Sequence, residues 1–307
     1  MVSHPLVEGL LGDDRVARVL SDAPQAYLTV LTSTGPHSTP QVFLAWAGRI
    51  WMMTGRKTVK AKVLRGRPEA AVLARSGDAS VVVTGVACLL DPLRPHELLP
   101  CVRELMLSGP ATAGYLARNP TDLRGFVRDA LAGRLRLNLP PSPPVLVALR
   151  PRAVTLVRGH ELVAAEGEWP GQREAPSWEE PMLGNELGAQ PFREAPAPAA
   201  RLLADERPCV VGWEGPTGPL GLPGTWHGDH QVASVAPDLF GLGSLPRHAP
   251  ASVTVDAIDE HDPTSKLGVV VRGPATAHPT RRTIEVRVEP ERVTWWQGTE
   301  TETQVVA

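Results

Sequence analysis

The chain has 307 residues, with 42% hydrophobic and 21% charged residues. This is room for about two domains and excludes a fibrous or wholly disordered protein. The formal net charge of −2 provides no overall basic field, so neither nucleic acid nor a membrane surface is an expected partner. No apolar stretch approaches the roughly 18 residues of a membrane-spanning helix.

Cysteine usage and the N-terminus favour a cytoplasmic protein. The three cysteines, Cys88, Cys101 and Cys209, are odd in number and widely spaced. This pattern argues against a disulfide framework and against a cysteine-based zinc site, so reduced thiols are expected. The N-terminal residues lack the basic and apolar regions of a signal peptide.

The first half of the chain reads as a strand-rich meander. Aromatic and β-branched alternation with Gly turns predicts strands, and the one short helix among them ends before Pro68. In chain order we predict a helix over 16–22, three strands within 26–54, a helix over 58–67, strands over 69–74 and 79–91, helical segments within 93–137 and closing strands over 145–159. Sequential hairpins of this kind close most easily into a small antiparallel barrel.

The second half repeats the first in degenerate form. Residues 18–28 match 201–211 at an offset of 183, and residues 149–159 match 288–298. We therefore predict a first domain over 1–160, a Pro- and Gly-rich linker over 161–190 and a degenerate second domain over 191–307. Two such barrels would pack as an intramolecular pseudo-dimer, with a ligand cleft on their shared face.

The sharpest chemical feature is a cluster of cations where a strand gives way to the short helix. Arg56, Lys57 and Lys60 fall in or beside the first helical turn, where free N–H groups already carry partial positive charge. Arg56 and Lys60 are four residues apart and are expected to reach the same volume. A phosphate would satisfy both sets of groups. A solvated basic helix face is the plainer alternative.

The helix periodicity and the second copy refine this interpretation. Val59, Val63 and Leu64 share one predicted face, with Lys60, Lys62 and Arg67 off it. The second copy keeps the frame and loses the anion-binding candidates, as a ligand-specific role would allow. In the second copy, Ala236 stands in place of Thr54, Asp238 in place of Arg56, Leu239 in place of Lys57 and Leu242 in place of Lys60.

These residues resemble the flavin-binding split barrels of the pyridoxamine 5′-phosphate oxidase-like superfamily. Its helix pattern R-x-x-x-K-x-x-x-L-R-x-x-P is matched by Arg56, Lys60, Leu64, Arg65 and Pro68. Its late P-x-x-V motif with a following aromatic is matched by Pro290, Val293 and Trp296. The resemblance implies a mainly β fold with helices (α+β), built as two tandem split β-barrel domains.

The resemblance also implies a cofactor and its site. FMN is the expected cofactor, with at most one per chain because the second copy has lost its phosphate residues. The expected cofactor-binding residues are Thr39, Pro40, Gln41 and Val42 along the ring and Thr54, Gly55, Arg56, Lys57, Lys60 and Lys62 around the phosphate. The substrate residues of the true oxidases are not found, so the substrate is an unidentified small molecule and the catalytic residues are unknown.

Three alternatives stay open. A deazaflavin coenzyme would need a longer basic groove, which Lys62, Arg65 and Arg67 could extend, and haem is a minor option. A non-catalytic flavin- or haem-binding module is the alternative to an FMN-dependent oxidoreductase. No metal is expected, because His227 and His230 lack a third ligand at a characteristic distance. The pseudo-dimer could act as a monomer.

Overall fold

The computed structural model describes residues 9–120, 144–171, 197–257, 266–298 and 300–306. Within these ranges the chain forms sixteen strands, five α-helices and two short 3-10 segments (Gly9–Leu11 and Pro95–Cys101). The helices are α1 (Asp14–Asp22), α2 (Val59–Gly66), α3 (Val102–Arg118), α4 (Ala197–Ala204) and α5 (Pro237–Leu242). The strands are β1 (Ala26–Thr32), β2 (Gly35–Gln41), β3 (Phe43–Trp46), β4 (Arg49–Gly55), β5 (Glu69–Ser76), β6 (Ala79–Leu90), β7 (Pro144–Arg158), β8 (Glu161–Gly167), β9 (Arg207–Gly215), β10 (Gly218–His227), β11 (Val232–Val235), β12 (His248–Ala257), β13 (Leu267–Pro279), β14 (Ile284–Val288), β15 (Arg292–Gln297) and β16 (Glu300–Val305).

The first eight strands form one antiparallel sheet that curls on itself. Their order is β2-β1-β5-β6-β7-β4-β3, with β8 paired to β7. The two ends of this path, β2 and β3, are consecutive in the chain and are separated by Val42 alone. The sheet therefore wraps into a barrel in which one interrupted strand supplies both edges.

The last eight strands form a barrel that closes through hydrogen bonds. Strands β12, β9, β10, β11, β14 and β13 follow in order, and β13 pairs back to β12. Strands β15 and β16 extend the sheet from β13. The predicted fold class, mainly β with helices and arranged as two split-barrel halves, is confirmed.

Each barrel has its own apolar core. Inward-facing residues such as Val30, Val72 and Val147 fill the first barrel. In the second barrel the core centres on Trp213, whose ring meets Phe240 edge to face with centroids 5.2 Å apart. Because successive side chains of a strand point to opposite faces, the residues between these core positions point out of the barrel, and some of them face the other half.

The two barrels pack through a mixed apolar and polar interface. Val210 of the second half joins a buried cluster with Tyr27, Leu73 and Val82 of the first. The Tyr27 hydroxyl donates to Asp256 Oδ1 at 2.9 Å. Three more polar contacts cross the interface: Thr254 Oγ1 donates to Ser38 O at 2.9 Å, Arg75 Nη2 donates to Cys209 O at 2.7 Å, and Gln25 Nε2 lies 3.5 Å from Asp256 Oδ2.

Gly212 allows the strands of the two halves to approach closely. A Cβ at this position would lie 2.7 Å from Ser38 Oγ and 2.4 Å from Ser252 Oγ. Any side chain here would push Ser38 of the first barrel away from the second.

Helix α3 covers part of the first barrel and corrects the cysteine prediction. Cys88 in β6 and Cys101 before α3 form a disulfide, with Cα atoms 5.8 Å apart. The expectation of reduced thiols is therefore wrong for these two residues, because the chain turns back after β6 and brings positions 13 residues apart together. Cys209 is a free buried thiol, and burial raises its pKa to about 12.

The segment between the halves begins with regular structure. Strand β8 occupies 161–167 and pairs with β7, so the start of the predicted linker is a strand. Trp169 then packs on the core of the second barrel, and the Gly171 N–H donates to Leu242 O at 3.0 Å. Residues 172–190 and the predicted helical stretch over 121–137 lie outside the described residues, and the domain boundaries stay a prediction.

Across the residues that the structure describes, no helix has both the length and the apolar character needed to cross a bilayer.

Candidate functional site

The turn between β4 and α2 is fixed by two threonines. Thr58 is the N-cap of α2 and accepts a hydrogen bond from the Ala61 N–H at 3.3 Å. Its hydroxyl also lies 3.1 Å from Thr54 Oγ1 and donates to Gly55 O at 2.8 Å. A capped N-terminus therefore follows the end of β4 directly, as the sequence predicts.

The buried face of α2 matches the predicted one in part, because Leu64 is buried and Val63 packs on the first core as predicted. Ala61 and Leu64 are buried, whereas Val59 is 51% exposed. Lys60 lies on the side of the helix that faces the protein, and burial lowers the pKa of its ammonium to about 8. The prediction was wrong at Val59, because α2 spans only two turns and tertiary contacts outweigh its weak apolar periodicity.

Arg56 has a partner within the chain. Its Nε lies 2.9 Å from Asp91 Oδ2, and Arg65 Nη2 lies 2.7 Å from the same oxygen. The Asp91 side chain is fully buried, and the N–H of Leu93 and both guanidiniums hold its pKa below the ordinary value despite its burial. Arg56 is therefore directed to Asp91 in this structure, and its sharing of a volume with Lys60 stays a prediction.

Lys60 instead joins two residues from other strands. His37 lies in β2 and Arg272 in β13 of the second barrel. Burial, followed by the charges of Arg272 and Lys60, lowers the pKa of His37 to about 3. Burial and the neighbouring Arg292 lower the pKa of Arg272. We call His37, Lys60, Arg272 and Arg292 the cationic cluster.

Polar atoms of this cluster are buried and unpaired. His37 Nδ1 and Arg272 Nε have no hydrogen-bond partner, and Arg272 is only 8% exposed. Among the described residues, no carboxylate forms an ion pair with Lys60, Arg272 or Arg292. A buried cation without a counter-charge costs free energy, and Arg272 is such a cation, with Lys60 and Arg292 half-buried near it.

Strand register brings the second-half members into one row. Gly212, Ser252, Arg272 and Arg292 pair in sequence across β9, β12, β13 and β15. Their neighbours Val211, Val253, Val271 and Val293 fill the second core. The row therefore lies on the outer face of this barrel, toward the first half.

Strand β2 carries the predicted ring-binding residues on two faces. Thr39 is opposite Leu28 and shares a face with His37 and Gln41. Its hydroxyl is buried without a partner. Pro40 is opposite Tyr27, on the other face, and Val42 is the break between β2 and β3.

Two of the predicted phosphate-binding lysines point to solvent. Lys57 and Lys62 are both solvent-exposed, as is Gly55. Of the predicted phosphate residues, Lys60 is therefore the one that shares the environment of His37 and Arg272.

A cleft of about 990 Å³ opens between the halves, and it is lined by residues close in sequence to the cluster but by none of the four cluster residues themselves. Its lining includes Gly35, two residues before His37, and Gly273, the residue after Arg272. One arginine, Arg67, and three glutamates, Glu214, Glu289 and Glu291, give it a mixed charge with an acidic excess. Clefts of this size hold small organic ligands.

The position in the second barrel that the predicted repeat makes equivalent is filled with apolar side chains. The repeat offset maps His37 to Leu220 and Thr39 to Leu222, which are 2% and 1% exposed. Leu242, the counterpart of Lys60, is 3% exposed. Val157 of the first half and Leu162 and Trp169 of the segment between the halves pack on the same core.

Three cluster residues were missed by the sequence reasoning. His37 was one of nine scattered histidines, and Arg272 and Arg292 lie more than 200 residues from Lys60. A signal for Arg272 does exist, because it interrupts the apolar run Val269–Val271 at a position where the first copy has Thr84. Its partners could be recognised only from the packing of the halves.

The candidate metal ligands are separately engaged. His227 Nε2 lies 2.8 Å from Ser234 Oγ, and its Nδ1 lies 3.3 Å from Glu206. His230 contacts Asp229 at 3.2 Å. In the described ranges, no three His, Cys, Asp or Glu side chains form a group that could hold a metal ion.

Comparison with known proteins gives a likeness to solved structures only. No family model and no curated protein matches the chain. A pyridoxamine 5′-phosphate oxidase-related, FMN-binding protein from Nostoc punctiforme is 17% identical, covers 52% of this chain and 96% of its own, and gives a TM-score of 0.33. Pyridoxamine 5′-phosphate oxidase-related proteins are thus among the structural neighbours.

Two further neighbours have comparable scores. General stress protein 26 from Bacillus anthracis is 15% identical, with coverages of 46% and 89% and a TM-score of 0.29. A haem-binding protein from Mycobacterium smegmatis is 16% identical, with coverages of 49% and 56% and a TM-score of 0.33. Identities this low concern the fold alone, so function has to be argued from the side chains.

Proposed function

We propose that the chain binds FMN in the cleft between its halves and is an oxidoreductase acting on a small molecule. The observation that carries this proposal is the cationic cluster, in which the buried Arg272 and the half-buried Lys60 have no carboxylate partner among the described residues. A phosphate monoester carries about two negative charges at neutral pH and several acceptor oxygens. Its chemistry therefore matches the unpaired donors of the cluster.

Each cluster residue would have a separate role. Lys60 and Arg272 would neutralise the phosphate, and Arg292 would add long-range attraction. His37 is neutral at physiological pH because of its lowered pKa, so its imidazole would donate one hydrogen bond without adding charge. Thr39, with its buried unpartnered hydroxyl, and the strand through Val42 would orient the ring.

When bound, FMN supplies hydride-transfer chemistry that no side chain can provide. The chain contributes anchoring, orientation and exclusion of water, and both halves take part because Lys60 and Arg272 come from different barrels. The cleft lined by Gly35 and Gly273 would admit the substrate.

We propose one cofactor per chain. Leu220, Leu222 and Leu242 replace the polar residues in the second barrel, and all three are buried. Opening that position to a flavin would require displacing packed apolar side chains.

FMN is favoured over a deazaflavin with a long anionic tail. Arg65, a candidate for an extended basic groove, is paired with Asp91 and lies 3.5 Å from Glu97. Only Lys62 and Arg67 of the predicted groove remain exposed and unpaired among the described residues. This supports a clamp for one phosphate.

Haem is a second candidate because of His37. A neutral imidazole with an unpartnered buried nitrogen is suited to ligate haem iron. The cations Lys60 and Arg272 would then pair with the propionates. A non-catalytic flavin or haem module remains the alternative to an enzyme.

Absorption spectroscopy with matched variants tests the proposal. The purified protein is titrated with FMN, a deazaflavin and haem, and each complex is recorded in the visible range. We expect saturation with FMN at one per chain. Arg272→Gln should weaken binding about tenfold to a hundredfold, as loss of charge-assisted hydrogen bonds does.

The control is Arg201→Gln, which removes an exposed arginine of the second half. It should leave FMN affinity unchanged. A strong Soret band on haem addition would favour the haem module, and equal affinity of both arginine variants would refute the proposed site.

A further inference from the structure

A covalently closed loop holds the carboxylates that engage Arg56 and Arg65. The Cys88–Cys101 disulfide brackets residues 89–100, and Asp91 and Glu97 lie within this loop. We call residues 88–101 the disulfide loop. It joins the end of β6 to the start of α3.

The contacts of the disulfide loop decide what Arg56 can bind. Arg56 Nε lies 2.9 Å from Asp91 Oδ2. Glu97 adds a second contact to Arg65 at 3.5 Å and is itself held by Arg94 at 2.7 Å. Arg56 lies just before the helix that carries Lys60, yet its guanidinium is paired with Asp91 of the disulfide loop.

We propose that Cys88 and Cys101 form a thiol–disulfide switch that regulates the cofactor site. In the oxidised protein the closed loop keeps Asp91 on Arg56. In the reduced protein the loop gains freedom, and Arg56 can turn from Asp91 to the phosphate beside Lys60. Arg65 remains to pair with Asp91. This inference rests on the proposed function.

The chemistry of the switch is thiol–disulfide exchange with a dithiol reductant. A thiolate of the reductant attacks Cys101 Sγ, the Cys88–Cys101 bond breaks, and Cys88 leaves as a thiolate. The second thiol of the reductant then attacks the mixed disulfide and releases Cys101 as a thiolate, which is protonated. The reductant ends as a disulfide and the protein as two thiols, so two electrons pass from the reductant to the protein.

The surroundings suit this sequence of attack. The guanidinium of Arg150 contacts Cys88 Sγ, which favours a leaving thiolate there. Glu104 lies 3.7 Å from the same sulfur, but its carboxylate is paired with Arg49 and Arg150 at 3.0 and 3.2 Å. Cys101 is 5% exposed, next to Val102 at 52%, so a small local opening exposes its sulfur.

The test compares FMN affinity of the full chain before and after reduction with dithiothreitol. Alkylation and intact mass confirm each redox state. We expect FMN to bind about tenfold more tightly to the reduced protein, from the added contact of a charged donor. Arg56→Gln should abolish this difference, and Asp91→Asn should give tight binding in both states.

A second readout does not depend on the cofactor. Phenylglyoxal labelling of free protein, mapped by mass spectrometry, reports the accessibility of Arg56. Labelling of Arg56 should rise on reduction, with exposed Arg201 as the internal reference. Circular dichroism verifies that reduction and the variants preserve the fold.

The outcomes separate the two proposals. Equal FMN affinity and equal Arg56 labelling in both redox states would overturn the switch and leave the cofactor site standing. Absence of FMN binding with increased Arg56 labelling would refute the cofactor proposal, and the switch would then act on the helix alone and not on a flavin site.

Discussion

FMN affinity should depend on pH through Lys60. Burial lowers the pKa of this ammonium to about 8 in the free protein. A bound phosphate favours the charged form and raises the pKa again, so binding takes up a proton wherever Lys60 is neutral. Raising the pH through 8 therefore opposes binding.

The magnitude follows from the titration of one group. With a pKa of about 8, roughly nine-tenths of Lys60 is charged at pH 7 and roughly one-tenth at pH 9. If only the charged form binds the phosphate, the affinity falls about tenfold between these values. The phosphate, with a second pKa of about 6, stays doubly charged throughout. His37, with a pKa of about 3, does not titrate in this window.

The assay is FMN titration followed by flavin fluorescence at pH 7, 8 and 9. Lys60→Arg serves as the matched variant, because an arginine stays charged throughout. We expect a steep profile for the natural chain and a flat one for Lys60→Arg. A flat profile for the natural chain, or an equally steep one for the arginine variant, would refute the assignment of Lys60 to the phosphate.

Three further predictions concern stability and assembly. Lys60→Met should stabilise the cofactor-free protein at pH 7 by up to about 3 kcal/mol, because the pKa of Lys60 falls from 10.5 to about 8 on folding. The same variant should weaken FMN binding. Urea unfolding measures the stability, and a less stable variant would contradict the prediction. Asp256→Asn should stabilise the protein at pH 7. Burial raises the pKa of Asp256 from 3.8 to about 6, so the folded state of the natural chain loses stability as the pH rises across that interval. The gain in stability should vanish below pH 4, and a pH-independent gain would argue against this cause. The chain should bind FMN as a monomer, because Lys60 and Arg272 lie in one chain; light scattering that shows FMN bound only to a dimer would oppose this.

The fold could be predicted well because its signals are local or repeated. Alternating apolar residues predict strands such as β1, Pro68 predicts the end of α2, and the repeat offset predicts two barrels. The packing side of α2 could be predicted only in part, since Val63 and Leu64 pack inward as expected whereas Val59 is exposed and Lys60 is half-buried. That outcome depends on what the second half places against the helix.

The site could be predicted only where it is contiguous in sequence. Lys60 and Thr39 emerge from one strand–helix segment and from the family resemblance. Arg272 reaches the same environment through the packing of two barrels, which no short motif encodes. The disulfide was missed for a similar reason, because the return of the chain from Cys88 to Cys101 is a tertiary feature.

The most direct test of the account is the stoichiometry of FMN binding, from a titration of the purified cofactor-free chain in the visible range. The account predicts one FMN per chain, with affinity reduced at least about tenfold in Arg272→Gln. Two FMN per chain would contradict the filled second position. No binding, or binding that is indifferent to Arg272, would contradict the cationic cluster as the phosphate site.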